Sequence, residues 1–217
     1  MHHLSLKENA YHIIKDKLLS MEYECGSRLR EDLLAEEISM SRTPVREAIQ
    51  QLTAEGYIIN VPRKGIFVVS LTPKEILNLL EIRMTLERLA VEKCIKNLTA
   101  GDFEMLTKIH QRYKKALEND QFTECIELDG VFHQKIALIA DNPKLYKFIK
   151  EIEEFMLIAR AMEKKIDPRK KHAQTLSEHE AILTAIEKQD VDLAKEMISR
   201  NITAIKHSLH LDEDTSE

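Results

Sequence analysis

Cysteine, glycine and proline are scarce in this sequence, and each scarcity excludes something. The three cysteines, Cys25, Cys94 and Cys125, lie far apart with no CxxC spacing, so neither a disulfide framework nor a zinc knuckle is indicated. A reducing cytoplasm is the compartment expected for such a chain. Five glycines and five prolines leave few turn signals in 217 residues, and stretches of Leu, Ile, Glu, Lys and Ala recur between them, so helix is expected over most of the length. No window reaches the roughly 18 apolar residues of a membrane span, and "MHHLSLKENAYHIIK" has no apolar leader core, so neither membrane insertion nor secretion is expected. Positive charge is short as well. The net charge is −5, and residues 1–70 carry nine Lys and Arg against ten Asp and Glu, so a nucleic-acid site has to come from local clustering rather than bulk charge.

What is present is 43% hydrophobic and 32% charged residues, the balance of an ordinary globular protein, in a length suited to two domains. Lys7 to Met21 reads as a helix with Ala10, Ile14, Leu18 and Met21 on one stripe. A turn at Gly26 follows, then a short helix from Glu31 to Ile38, the link "SMS", and a third helix from Thr43 to Glu55 with Thr43 as its cap, Pro44 in its first turn and Gly56 ending it. "YIINVPRKGIFVVS" holds two β-branched and aromatic runs around Pro62-Arg63-Lys64-Gly65, the pattern of a hairpin with a basic tip. From Leu71 the texture becomes helix after helix: one opened by Thr72 and Pro73, then others at 101–118, 121–139, 143–165, 170–188 and 190–210. Breaks stand at "DNP" and "IDP", and the acidic tail "LDEDTSE" is expected to be disordered. The fold expected is mainly α: a winged helix-turn-helix of three helices and a β-hairpin wing over 1–70, and an antiparallel all-α bundle over 71–217.

The third helix has two faces. At about 100° per residue, Val45, Ala48, Ile49 and Leu52 fall on one side, and Arg42, Thr43, Arg46, Glu47 and Gln50 on the other. The polar side places two arginines one turn apart at the N-terminal end, where a recognition helix meets base edges and phosphates. The planar guanidinium suits that task because it grips guanine O6/N7 or a phosphate with two hydrogen bonds. Arg28 and Arg30 before the second helix, and Arg63 and Lys64 at the hairpin tip, are placed to flank the groove and hold phosphates.

The later helices carry polar residues inside apolar stripes. Asp129 and His133 sit four apart within Phe122, Cys125, Ile126, Phe132, Ile136 and Ile139; His179 lies among Ile182, Leu183 and Ile186; Asn201 lies among Ala194, Met197 and Ile205. Arg83 and Glu87 share a stripe with Ile76, Leu80, Leu86 and Ala90. Burying an unpaired charge costs several kcal/mol, so these groups are expected to meet one another, a metal or a ligand around a shared internal cavity. Asp129 and His133 with His179 offer one oxygen and two nitrogens to a divalent cation such as Zn²⁺, Ni²⁺ or Mn²⁺; a satisfied hydrogen-bond network is the alternative. His2, His3, His12, His110, His172, His207 and His210 show no comparable pattern.

"LREDLLAEEISMSRTPVREAIQQLTAEGYI" followed by "VPRKGIFV" closely resembles the winged helix-turn-helix of GntR-family bacterial transcription regulators. The resemblance implies that Arg30, Arg42, Thr43, Arg46 and Gly65 contact a palindromic double-stranded operator, with the chain acting as a homodimer. "EIRMTLERLAVEKCI", "ELDGVFHQKIALIADNPKL" and "LSEHEAILTAIEKQDVDLAKEMISRNI" look like the all-helical FCD effector domain of the FadR subfamily. That likeness implies a metal held by Asp129, His133 and His179, with Asn201 standing where metal-binding members carry a histidine. Three outcomes stay open there: a weaker site completed by water, an ion that prefers oxygen, or an organic effector bound without metal. It also implies that Arg83 lies in the effector cavity, suited to a carboxylate; an internal ion pair with Glu87 or Asp129 is its other reading. The function expected is a DNA-binding repressor, not an enzyme, controlled by a small organic acid that meets Arg83, Asp129, His133, His179 and Asn201. The rival is a metal-dependent hydrolase built on Asp129, His133 and His179, which leaves the first seventy residues without a role.

Overall fold

The computed structural model describes residues 5–160, 167–209 and 211. The expectations for His2, His3, His210, the "IDP" break at Ile166, the end of the 143–165 helix and the tail beyond Leu211 lie outside the described residues. The chain separates into two compact units, with the division in the main chain falling between Thr72 and Pro73.

In the first unit α1 (Leu6–Leu19), α2 (Glu31–Glu37) and α3 (Arg42–Ala54) pack together, and a small antiparallel sheet adjoins them. Helix α1 starts where it does because Ser5 and Glu8 close a reciprocal capping box, and it buries Ala10, Ile14 and Leu18. Met21, expected on that stripe, lies past the helix end with φ +62° and only half-buried, because the chain has already turned there. Thr43 is not the cap of α3. Ser41 holds the extended N-cap backbone, and Arg42 and Thr43 are the first two helical residues, so the helix begins one step earlier than the Thr-Pro pair suggests.

Strands β2 (Ile58–Val61) and β3 (Gly65–Val68) form the expected hairpin, paired from Ile58↔Val68 to Val61↔Gly65. A third strand, β1 (Arg28–Leu29), pairs with β3 through Arg28↔Phe67 and Leu29↔Ile66, so the sheet runs β1-β3-β2. Two residues are too few for a period-2 pattern, which is why β1 escapes a sequence reading. The unit's core is apolar: Ile14, Leu18, Val45, Ala48, Leu52, Tyr57 and Ile58 are almost wholly inaccessible.

The second unit comprises α4 (Pro73–Asn97), α5 (Ala100–Glu118), α6 (Phe122–Ile139), α7 (Pro143–Arg160, whose last residues fall outside this unit), α8 (Pro168–Glu187) and α9 (Val191–Ser208). Helix α4 packs on α6 and α9, α5 on α6 and α8, and α8 on α9. Caps set the frame: Thr99 and Asp102 close a capping box on α5, Asp167 with Pro168 opens α8, and Asp190 opens α9. Helices α4, α6, α8 and α9 thereby direct their polar-bearing stripes inward.

Candidate functional sites

On α3 the two faces separate as the periodicity requires. Val45, Ala48, Ile49 and Leu52 are buried, while Arg42, Thr43, Arg46, Glu47 and Gln50 are exposed. Arg30 occupies the N-cap position of α2 and clasps Asp32 with two hydrogen bonds, Nη2 to Oδ2 at 2.7 Å and Nε to Oδ1 at 3.2 Å. Arg46 Nε donates to Glu31 Oε2 at 3.0 Å. Both arginines are orientated by the acidic first turn of α2, yet both side chains remain 59% exposed. Exposed pairs of this kind stabilise little in water, so a phosphate or a base edge can take the carboxylate's place.

At the wing, Arg63 adopts φ +64° and Gly65 φ +112°. A Cβ at position 65 would come within 3.0 Å of Arg28 Nε, so the guanidinium of Arg28 lies against the bare glycine. Arg63 and Lys64 are exposed at the tip. The first unit therefore carries Arg28, Arg30, Arg42, Arg46, Arg63 and Lys64 as solvent-facing cations, with the polar side of α3 between the α2 turn and the hairpin in sequence.

The second unit buries Arg83 and Glu87 on α4, Asp129 and His133 on α6, Glu153 on α7, His172 and His179 on α8, and Asn201 on α9. Arg83 Nε bonds Glu87 Oε1 at 2.5 Å, and its Nη2 lies 3.7 Å from Glu153 Oε1. Arg83 thus forms the ion pair with Glu87, and the second carboxyl beside it is that of Glu153 rather than Asp129. Burial works to raise the Glu87 pKa, but Arg83 and His133 outweigh it and hold that carboxyl at about 2. Glu153 goes the other way. Burial, added to by the charge of Glu87, pushes it up to about 7 against the pull of Arg83 and His133. Its other oxygen accepts from Gln134 Nε2 at 2.7 Å.

His133 places Nδ1 2.5 Å from Glu87 Oε2. An ionised carboxylate only accepts, so Nδ1 carries a proton, and Nε2 is the atom whose lone pair a cation would meet. That Nε2 is buried and has no hydrogen-bond partner. Burial lowers the His133 pKa, yet the charge and hydrogen bond of Glu87 raise it overall. His179 is held by stacking on Phe132, 4.2 Å between centroids, and by the edge of Tyr113 at 5.5 Å. Burial pushes its pKa down in spite of Asp129, so the ring is neutral.

Asp129 Oδ1 lies 3.2 Å from His179 Nε2 and 3.9 Å from His133 Nε2. The shorter distance lacks hydrogen-bond alignment, for neither nitrogen of His179 has a hydrogen-bond partner. One ligand atom each from Asp129, His133 and His179 falls within 4.8 Å of the others. A fully satisfied hydrogen-bond network would not leave Nε2 of His133 and the ring nitrogens of His179 unmatched. A carboxylate and two imidazoles, one orientated by a carboxylate behind it, form the donor set of a divalent cation, so the residues present fit one.

Asn201, at the fourth position, donates from Nδ2 to Glu178 Oε2 at 2.8 Å. Sequence reasoning missed Glu153, Glu178 and His172. Glu153 sits on the stripe Ile149, Ile152, Met156 but among Glu151 and Glu154, where solvated glutamates disguise the buried one. His172, read as unpatterned, is buried with Nδ1 2.7 Å from Tyr113 Oη and its ring stacked on Phe122.

Comparison with known proteins agrees with this division. Residues 6–68 match the bacterial regulatory proteins of the gntR family, and residues 78–204 match the FCD domain. YdhC, an HTH-type transcriptional regulator of Bacillus subtilis, is 28% identical over 95% of this chain and 92% of its own length. The gluconate operon transcriptional repressor of the same organism is 27% identical over 89% of this chain and 80% of its own. Among solved structures, McbR/YncC of E. coli superposes with a TM-score of 0.81 at 23% identity, covering 94% of this chain and 99% of that one, a likeness of fold. A GntR regulator from Rhodococcus gives the same TM-score at 17% identity, covering 95% of this chain and 98% of that one.

Proposed function

Because the chain belongs to the GntR family of transcriptional regulators, with an FCD domain behind its winged helix-turn-helix, we propose that it is a homodimeric repressor that reads a palindromic operator and answers to a small acid. The polar face of α3 enters the major groove, where Arg42, Thr43, Arg46 and Gln50 meet base edges and nearby phosphates. Arg28, Arg30, Arg63, Lys64 and the Gly65 backbone hold the flanking phosphates and the minor groove. The observation that carries this reading is the exposure of the whole polar face of α3 above a wholly apolar core. Relatives named as repressors support the sign of regulation.

In the helical unit, Asp129, His133, His179 and Asn201 would hold a divalent cation, which would supply the positive charge that a carboxylate ligand needs. An acid that reaches Arg83 does so by displacing Glu153, the carboxyl that gives up its charge most easily. The relatives named for a gluconate operon point to the same chemical class, since gluconate is a carboxylate. Acid binding loosens the operator to the extent that it prefers a conformation whose two recognition helices are mis-spaced, and operator weakens the acid by the same factor. The hydrolase alternative finds no support: the relatives above are transcriptional regulators, and their names describe no hydrolase.

The test is a gel shift with the wild-type protein and Arg46→Ala, followed by a thermal-shift screen of organic acids with and without chelator, with His133→Ala as control. Unchanged operator affinity in Arg46→Ala removes that residue from the interface. Acid-induced stabilisation that ignores both chelator and His133→Ala removes the cation from the effector site.

A further inference from the structure

We propose that Asn201 ligates the cation through its amide oxygen and that Glu178 is the residue that aims it, which gives the site an oxygen donor where an imidazole would favour softer metals. This deepens the reading of the helical unit above and rests on it. An amide has one acceptor atom and one donor group, and its partner decides which way it faces. Glu178 Oε2 lies 2.8 Å from Asn201 Nδ2, and the reversed amide would set oxygen against oxygen. The orientation leaves Oδ1 as the acceptor end of the amide, next to a Glu178 that feels the charges of Asp129 and His133. That atom is buried, in a residue 3% exposed, and no donor reaches it.

The arrangement repeats the one at His133. In both, a carboxylate takes the N–H of a buried side chain, Glu87 from His133 and Glu178 from Asn201, and the atom at the other end has no hydrogen-bond partner. Glu178 also directly precedes His179 on α8, so the helix turn that supplies one ligand orientates another. The resulting set is two imidazole nitrogens, a carboxylate oxygen and an amide oxygen. Zn²⁺ still binds such a set more tightly than Mn²⁺ by the general order of affinities, but the gap narrows as oxygen replaces nitrogen.

The experiment uses full-length protein stripped with chelator, titrated with Mn²⁺ or Zn²⁺ against a chromophoric competitor, with circular dichroism to confirm that each variant is folded. Wild type takes one ion per chain. Glu178→Gln weakens Mn²⁺ binding by roughly tenfold to a hundredfold, the usual cost of removing a residue that orientates a ligand. Asn201→Ala weakens it at least as much, and the double variant is no weaker than Asn201→Ala, because Glu178 acts through that amide. Asn201→His shifts the Zn²⁺-over-Mn²⁺ preference up by about tenfold or more. If Asn201→Ala fails to fold, Glu178→Gln and Asn201→His carry the result, Glu178 being only half-buried. Wild-type affinity in Glu178→Gln, or additive losses in the double variant, overturns the role of the Asn201 and Glu178 pair while leaving the cation reading standing. A wild-type protein that binds neither ion overturns both, and operator binding by the same preparation shows whether the regulator reading survives.

Discussion

The two units handle charge in opposite ways. Among the described residues of the first unit none of the buried residues is charged, and the cations of the α2 turn, α3 and the wing tip face solvent. The second unit buries a guanidinium, three carboxylates, three imidazoles and an amide. An exposed arginine is cheap to hold and equally cheap to lose, so the first unit separates function from stability. In the second unit the groups that would hold a ligand also balance one another inside the core, so function and stability are bound together.

Breaking the buried balance has the largest expected effect. Glu87→Ala leaves Arg83 without its closest carboxylate and His133 without the acceptor that sets its tautomer, and should cost about 3–5 kcal/mol of folding stability by urea denaturation. Arg46→Ala sharpens the contrast from the other side. It should cost about 1–3 kcal/mol of operator affinity in a gel shift, while folding stability changes by no more than about 0.5 kcal/mol.

A pH experiment isolates Glu153. Its ordinary value is 4.5 and the fold raises it to about 7, so between those pH values the folded chain holds a proton that the unfolded chain has lost. Stability from this group therefore falls as pH rises through that window. Glu153→Gln should recover about 1–2 kcal/mol at pH 8 and nothing at pH 4, read from denaturation curves at each pH. An equal gain at both pH values would show that the carboxyl is not held protonated.

The smallest effect is at the wing. Arg63 sits at φ +64°, where a glycine is less strained, so Arg63→Gly should leave thermal stability unchanged or raise it slightly while weakening DNA binding and its dependence on salt. A wing that melts in that variant would mean the arginine is structural.

Much of this was legible in the letters. The two faces of α3 follow from period 3.6, and Asp129, His133, His179, Asn201, Arg83 and Glu87 stood out because a polar residue on an apolar stripe is conspicuous wherever its neighbours are unmistakably apolar. Glu153 escaped because it shares its segment with two other glutamates, one helix turn away from the information that tells them apart. Strand β1 escaped because its pairing partner, β3, is almost forty residues along the chain. What no periodicity could supply is direction: that Glu87 faces Nδ1 of His133, that Glu178 faces Nδ2 of Asn201, and that Glu87 and Glu153 are the carboxyl groups beside Arg83.

The central claim is that the outward face of α3 reads a duplex. Selection of bound sequences from a random double-stranded pool by the full-length protein tests it most directly. The account predicts a recurrent site with two inverted halves about one helical turn apart, lost when Arg42 and Arg46 are both changed to alanine in a protein that still folds. Enrichment of no sequence, or of the same sequence by the doubly substituted protein, would contradict it.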